Sequence, residues 1–333
     1  MGKSAVFFVA LLLGFGGIKA ADVVKRDICL SDPVGNVVQV ALQMGQYLFL
    51  GAMEETKSLH LLEKTGNITV FLPTNEAFRN VSQETRDFWK KHPGAYKQLM
   101  RYHIVKELRH KADLVDEATY VTMTNKSFSG RYVDYNGFSK NIQLYNDAPI
   151  NSFDYEASNG VIHLLDSVVG RMAKDTIFGI VKKRKDLTKI LNAIQIANLT
   201  SILNGSQPYT FAAPTDKAID KLPSGTWDKL LHNPDQLRDV LNYHVASAGT
   251  WMTRGLIDNL KIATLNKKAD WTIHMDNYQK HGNEKKSGSP GSFIKIDQAK
   301  MIAVDLSATN GVVHTISAVL FPPSRRRLGR RHN

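Results

Sequence analysis

Four histidines sit among apolar neighbours at matched places in the chain: His103, His163, His244 and His314. Imidazole can serve as a general base or a metal ligand, so a histidine cluster raises both chemistries. Either role needs a partner that orients the ring. No acidic residue is read as recurring at a fixed spacing beside them. The four are therefore expected to be structural, with each ring hydrogen-bonded inside its domain. Two of them follow tyrosine. Tyr102-His103 lies among Leu99, Met100, Ile104 and Val105, and Tyr243-His244 among Val240, Leu241 and Val245. Such flanks place each pair at a helix-to-strand junction against the core. Other chemistry is sparse. The chain has no G-x-S-x-G, no P-loop and no H-E-x-x-H. Cys29 is its single cysteine, which excludes an intrachain disulfide and a thiolate metal site. That thiol is either buried and free or the handle for a disulfide dimer. Residues 154–160 approach a calcium loop, but Gly160 falls at the seventh position instead of the sixth and Leu165 stands where the closing Glu belongs. A polar turn into a hairpin is the favoured reading. No catalytic residue, metal or cofactor is assigned, and no enzyme activity is expected.

Charge and targeting signals narrow the setting. The formal net charge is +12; without residues 1–20 it is +10, and five of those charges belong to Arg325, Arg326, Arg327, Arg330 and Arg331. This tail reads in three ways: a solvated end, a site for a sulfated polyanion, or a paired-basic processing site. Residues 1–20 combine Lys3, the apolar run from Ala5 to Leu13 and a small residue at Ala20. This is the pattern of a secretory signal peptide, and the run is too short to span a bilayer. The expected product is a secreted chain starting at Ala21, with no transmembrane span and no nucleic-acid partner. Five N-x-S/T sequons agree with that setting: Asn67, Asn80, Asn125, Asn198 and Asn204. Asn67 abuts a strand.

The elements that must position these residues come twice. Residues 69–78 (TVFLPTNEAF) match 210–219 (TFAAPTDKAI). Both read as a strand, a proline stop and a helix start, with Thr and Asn or Asp as N-cap residues. Tyr102-His103 and Tyr243-His244 follow at the same interval from Pro73 and Pro214. Asn159-Gly160-Val161-Ile162-His163 matches Asn310-Gly311-Val312-Val313-His314, a tight turn entering an alternating strand. The last interval is ten residues longer in the second copy. The extra length is assigned to 281–292, which is rich in Gly, Ser and Lys. Ahead of each strand lies a helical stretch, as in Leu187, Ile190, Leu191 and Ile194 at one-face spacing. Each copy is thus helices first, then strands mixed with helices, then a closing hairpin. That order predicts an α+β fold.

Taken together, the three paired motifs resemble the fasciclin-type (FAS1) domain. The strand-Pro-Thr-Asn/Asp block is similar to the family's first signature, the Tyr-His pair sits where the family has it, and Asn-Gly-Val-x-His is similar to the second signature. The resemblance covers residues 32–170 and 174–322, leaving 1–20 as signal and 323–333 as a basic tail. It implies two tandem domains, each a β-sandwich wedge with helices packed against it. It also implies cell adhesion or extracellular-matrix assembly. Tyr102, His103, Tyr243 and His244 then become candidate adhesion residues. Partners would be extracellular-matrix proteins, integrin-type receptors or sulfated glycosaminoglycans. No Arg-Gly-Asp tripeptide is present. The alternative function is an extracellular carrier of a small apolar ligand, which would require a deep apolar pocket.

Overall fold

The computed structural model describes residues 35–323 except 65, 125–128, 136–141, 171, 248 and 277–292. The expected signal peptide, Cys29, Asn125 and the arginine tail lie outside the described residues. Two compact units divide the chain. One holds residues up to 134 with 142–172; the other holds residues from 173 onward with 135–141.

The first unit opens with helices α1 (Val37–Gln43), α2 (Leu48–Glu55) and α3 (His60–Lys64), then strand β1 (Ile68–Pro73). Helices α4 (Asn75–Arg79), α5 (Gln83–Lys91) and α6 (Pro93–Tyr102) follow, then β2 (Ile104–Val105), β3 (Thr119–Val121), β4 (Ser129–Asp134), β5 (Gln143–Tyr145), β6 (Ala148–Ala157) and β7 (Gly160–Leu165). Local signals explain the starts. Asn36 and Gln39 form a reciprocal capping box on α1. Pro73 ends β1, and the Thr74 hydroxyl accepts from the N–H of Ala77 at 3.1 Å to start α4. Pro93 stands in the first turn of α6, where its missing N–H costs nothing.

The second unit repeats the order. It has α7 (Ile177–Lys183), α8 (Thr188–Ile196), α9 (Thr200–Leu203), β8 (Tyr209–Pro214), α10 (Asp216–Ile219), α11 (Thr226–Leu231), α12 (Pro234–Tyr243), β9 (Val245–Ala246), β10 (Lys261–Ala263), β11 (Asp270–Asp276), β12 (Phe293–Ile296), β13 (Ala299–Lys300), β14 (Leu306–Ala308) and β15 (Gly311–Ile316). The ten-residue β6 of the first unit becomes two short strands here, β13 and β14. The segment assigned as the insertion, 281–292, lies outside the described residues. Its flanks are described: Asp276 pairs with Phe293 across sixteen intervening residues, where Asp134 pairs with Gln143 across eight.

Each unit curls its strands into a wedge. In the first, the order is β2-β1-β7-β6-β5-β4-β3, with β1 and β7 parallel. The ends meet, because Val105 bridges Thr122. In the second, β14-β15-β8-β9 and β10-β11-β12-β13 join through Ala246–Thr264 and Met301–Ile316 bridges. Closing a sheet in this way removes exposed edges. Each unit consequently holds two cores. One lies between helices and sheet, with Phe49, Leu50, Met53 and Val70 in the first unit and Ile190, Ile194, Phe211 and Leu241 in the second. The other fills the inside of the wedge, with Phe71, Tyr132 and Tyr145, and with Ile262, Trp271 and Ile296. The fold is α+β, a tandem pair of like units.

Candidate functional site

The Tyr-His pairs stand where the last helix of each unit turns into its short second strand. Tyr102, His103 and His244 are fully buried and Tyr243 is 2% exposed. The two side chains of a pair part company. The tyrosine enters the wedge core, and the histidine packs on the helix side, where the His103 ring lies 5.7 Å from Phe49. The Tyr102 hydroxyl donates to the Ser129 carbonyl at 2.7 Å and accepts from the Asn146 amide at 2.9 Å. The Tyr243 hydroxyl donates to the Asp297 carboxylate at 2.8 Å. Burial, then the Asp297 carboxylate, raise the pKa of Tyr243 and keep it neutral. The main-chain carbonyls of the tyrosines are also gripped, by the Tyr145 hydroxyl at 2.9 Å and the Trp271 indole N–H at 2.5 Å.

The paired histidines use both ring nitrogens. Nδ1 of His103 lies 2.8 Å from the Leu99 carbonyl, and its Nε2 accepts from the N–H of Val169 at 3.2 Å. In His244 the partners are the Val240 carbonyl at 2.9 Å and the N–H of Leu320 at 3.0 Å. An accepting Nε2 fixes the proton on Nδ1. Protonation would break the second bond inside a dry core, and burial lowers both pKa values to about 4.

His163 and His314 correct one expectation. An acidic residue does recur beside them: Asp154 and Asp305 each stand nine positions earlier, with carboxylates 3.8 and 4.0 Å from Nδ1. The ring is oriented by the backbone of that residue. The N–H of Asp154 donates to Nδ1 of His163, and that of Asp305 to Nδ1 of His314, both at 3.1 Å. Nε2 of each ring then meets the carbonyl of Arg109 at 2.9 Å or of Trp251 at 2.8 Å. These rings thus carry their proton on Nε2, opposite to the first pair. Both aspartates hold left-handed backbone, with φ of 61° and 54°. Their carboxylates accept from the N–H of Lys111 and Thr253, each at 2.8 Å. Asp154 lies within β6, at an irregularity in its pairing with β7, and the hairpin turn itself falls at Ser158 and Asn159. Burial, the largest influence, lowers the pKa of both histidines.

Three further matched pairs act as fasteners between distant segments. Thr69 donates to the Glu107 carbonyl at 2.7 Å, and Thr210 to that of Gly249 at 3.0 Å. Of the two cap candidates after Pro73, Thr74 caps α4, whereas Asn75 accepts from Leu48 at 2.9 Å at the start of α2. Asp216 does the same for α8, accepting from Lys189 at 2.9 Å. Asn159 joins two helices, accepting from Val37 at 2.9 Å and donating to Leu62 at 2.8 Å. Asn310 joins Ile177 and Leu203 at 2.8 and 3.1 Å. The following glycines are required by close approach: a Cβ on Gly160 would lie 2.3 Å from the Ile68 carbonyl, and one on Gly311 1.8 Å from that of Tyr209. Recurrence of these residues within matched motifs of both copies was the available signal; their partners, up to 133 positions away, were not.

Asn67, Asn80, Asn198 and Asn204 are exposed. A cleft of about 620 Å³ beside Tyr243 is lined by Lys261, Lys267, Lys268, Asp270 and Asp297, a charged wall and not an apolar one. Among the described residues, no three His, Cys, Asp or Glu side chains gather as a metal set, and no helix is long and apolar enough to cross a membrane.

Comparison with known proteins places this geometry. The sequence profile described as "Fasciclin domain" matches residues 47–171 and 185–322. The chain is 26% identical over 269 residues to "Transforming growth factor-beta-induced protein ig-h3" of Sus scrofa, covering 80% of this chain and 36% of that protein. It is 23% identical over 269 residues to "Periostin" of Homo sapiens, covering 80% and 30%. The chain thus spans well under half the length of these relatives. A solved FAS1 domain pair from "the Insect Cell Adhesion Molecule Fasciclin I" aligns at 18% identity and a TM-score of 0.39, over 85% of this chain and 95% of that one.

Proposed function

The chain belongs to the fasciclin domain family, and from that premise we propose that it is a secreted adhesion protein of the extracellular matrix. Its two units would bind matrix components or cell-surface receptors through exposed faces. One observation carries this reading: the polar residues repeated in both units are hydrogen-bonded within their own unit. His103, His163, His244 and His314 present no ring to solvent. The repeated chemistry therefore builds the scaffold, and recognition falls to the outer surface, where the two units differ. Relatives bearing this domain include a transforming growth factor-beta-induced protein and a periostin. Secretion and glycans on the sequons belong to the same proposal, and a non-reducing gel of the secreted chain decides whether Cys29 is a free thiol or bridges two chains. Integrin-type receptors, matrix proteins and sulfated glycosaminoglycans are the partner classes to try first.

The test is attachment of cells to surfaces coated with the purified secreted chain, beside solid-phase binding to a panel of matrix components. Attachment above an albumin-coated surface, or saturable binding to at least one component, is expected. Neither occurring would sink the proposal.

A further inference from the structure

We infer that the second unit carries a binding site for a sulfated polysaccharide at the corner where α7, α8 and α10 meet. The site is distinct from the arginine tail, and it deepens the adhesion reading and rests on it for its extracellular setting. Four consecutive cations, Lys182, Lys183, Arg184 and Lys185, leave the end of α7. Lys189 follows on α8, Lys217 lies within α10 and Lys221 just beyond it. The fold holds these segments together. The N–H of Asp216 donates to the Asp186 carbonyl at 2.9 Å, seating the start of α10 on the basic loop. Lys189 pairs with Asp220 across α8 and α10.

Nearby carboxylates cancel only part of the charge. Lys183 pairs with Asp175 at 2.6 Å and Arg184 with Asp186 at 2.7 Å. The Asp216 carboxylate is occupied by the Thr188 hydroxyl and the N–H groups of Thr188 and Lys189. Lys182, Lys185, Lys217 and Lys221 are exposed and pair with no carboxylate among the described residues.

A run of cations at a helix C-terminus could simply favour the helix dipole. The first unit answers that point, because it builds the same corner without them. Helix α1 has the same length as α7 and ends in Leu42-Gln43-Met44-Gly45, aligned with the four cations. Leu48 stands for Lys189, Glu76 for Lys217 and Asn80 for Lys221. The corner therefore needs no positive charge in order to fold, and the charge on the second unit is left to recognition. Seven cations spread along three segments suit a linear polyanion, whose sulfates can meet several lysines at once. An anionic membrane is the less favoured partner. Surface-lying membrane sites add apolar anchors to their cations, and the exposed large hydrophobic residues, such as Phe88, Val115 and Ile302, lie outside 177–221.

The experiment uses the full secreted chain with K182E/K185E and K217E/K221E, beside a variant with the five tail arginines changed to alanine. Heparin affinity is measured across a salt series, with desulfated heparin and phosphatidylserine vesicles as competitors. Melting temperature confirms folding. Each lysine pair is expected to weaken heparin binding at least tenfold and to flatten its salt dependence, in the presence or absence of the tail charges, with only sulfated heparin competing. Unchanged affinity in both lysine variants overturns the site. So does competition by the vesicles equal to that by heparin, which would assign the corner to membranes. Attachment assays on the same proteins separate the two readings. Attachment, or saturable binding to a matrix protein, without any lysine effect on heparin leaves adhesion standing and removes the site; a lysine effect with neither of them does the reverse.

Discussion

At the scale of single residues, the buried histidines make stability depend on pH. His103 and His244 have a pKa of about 4 in the folded chain, against an ordinary value near 6.5. The unfolded chain then binds more protons between those two values, so stability is complete above about pH 6.5 and falls as pH drops toward 4. Each ring should account for about 3 kcal/mol across that window. Urea unfolding at pH 7.5, 6, 5 and 4 checks this; a flat profile would show that the rings are not held neutral. Tyrosine 243 offers a second test. Tyr243→Phe leaves the Asp297 carboxylate without its hydroxyl partner and should cost about 1–3 kcal/mol, whereas Tyr243→Ala also empties a core position and should cost about 3–5 kcal/mol. Any fall in cell attachment should follow the fall in melting temperature. Attachment lost at an unchanged melting temperature would instead make the pair a recognition site. The placement of these pairs against the core was readable from their flanks, Leu99, Met100, Val240 and Leu241. The partners were not. Asn146 and Asp297 reach the tyrosines only because both adopt left-handed backbone, with φ of 56° and 51°, and no spacing in the sequence marks that.

Elements were more legible than partners, because periodicity and capping are local. The strand-Pro-Thr block predicts a stop and a helix start, and Thr74 and Thr215 serve as the caps. What the block hides is its second residue, which reaches back to the start of a helix 27 or 28 positions earlier. Asn75→Ala and Asp216→Ala should each cost about 1 kcal/mol through the loss of that distant cap. Asp216→Asn should restore most of the stability, since Asn75 already performs the role in the other unit; thermal melts of the three variants decide this. The Asn-Gly signal likewise read as a turn and proved to be a contact as well. Gly160→Ala would press a methyl group on the Ile68 carbonyl of the parallel neighbour strand. The expected result is a lowered melting temperature and faster amide exchange along β1 and β7. An unaltered exchange pattern would mean that the strands can part to accommodate the methyl. The division of one long β6 into β13 and β14 was not readable: both copies carry a left-handed aspartate in this stretch, Asp154 and Asp305, and β6 pairs through register shifts without breaking.

At the scale of the whole molecule, repetition is the most legible feature: three motifs in the same order suffice to announce two like units. Surface chemistry is the least legible, because exposed side chains are free of the constraints that make core positions recur. Each unit has its own pair of cores, so damage should remain local. Tyr243→Ala should reduce amide protection in 209–320 while β1 and β7 keep theirs, measured by hydrogen exchange with mass spectrometry. Intact mass of the secreted chain, before and after glycosidase, should show a start at Ala21 and at least two occupied sequons; a retained leader or an unchanged mass would contradict secretion through that route. Asp276 and Phe293 pair across sixteen residues, where the other unit closes the equivalent span with eight. The strand ends are fixed by their own register, and the entropy of closing a span grows only with the logarithm of its length, about 0.6 kcal/mol per doubling. The protein therefore offers a natural grafting port between β11 and β12, into which a protease site, an epitope or a fluorescent reporter can be spliced while both cores stay as they are.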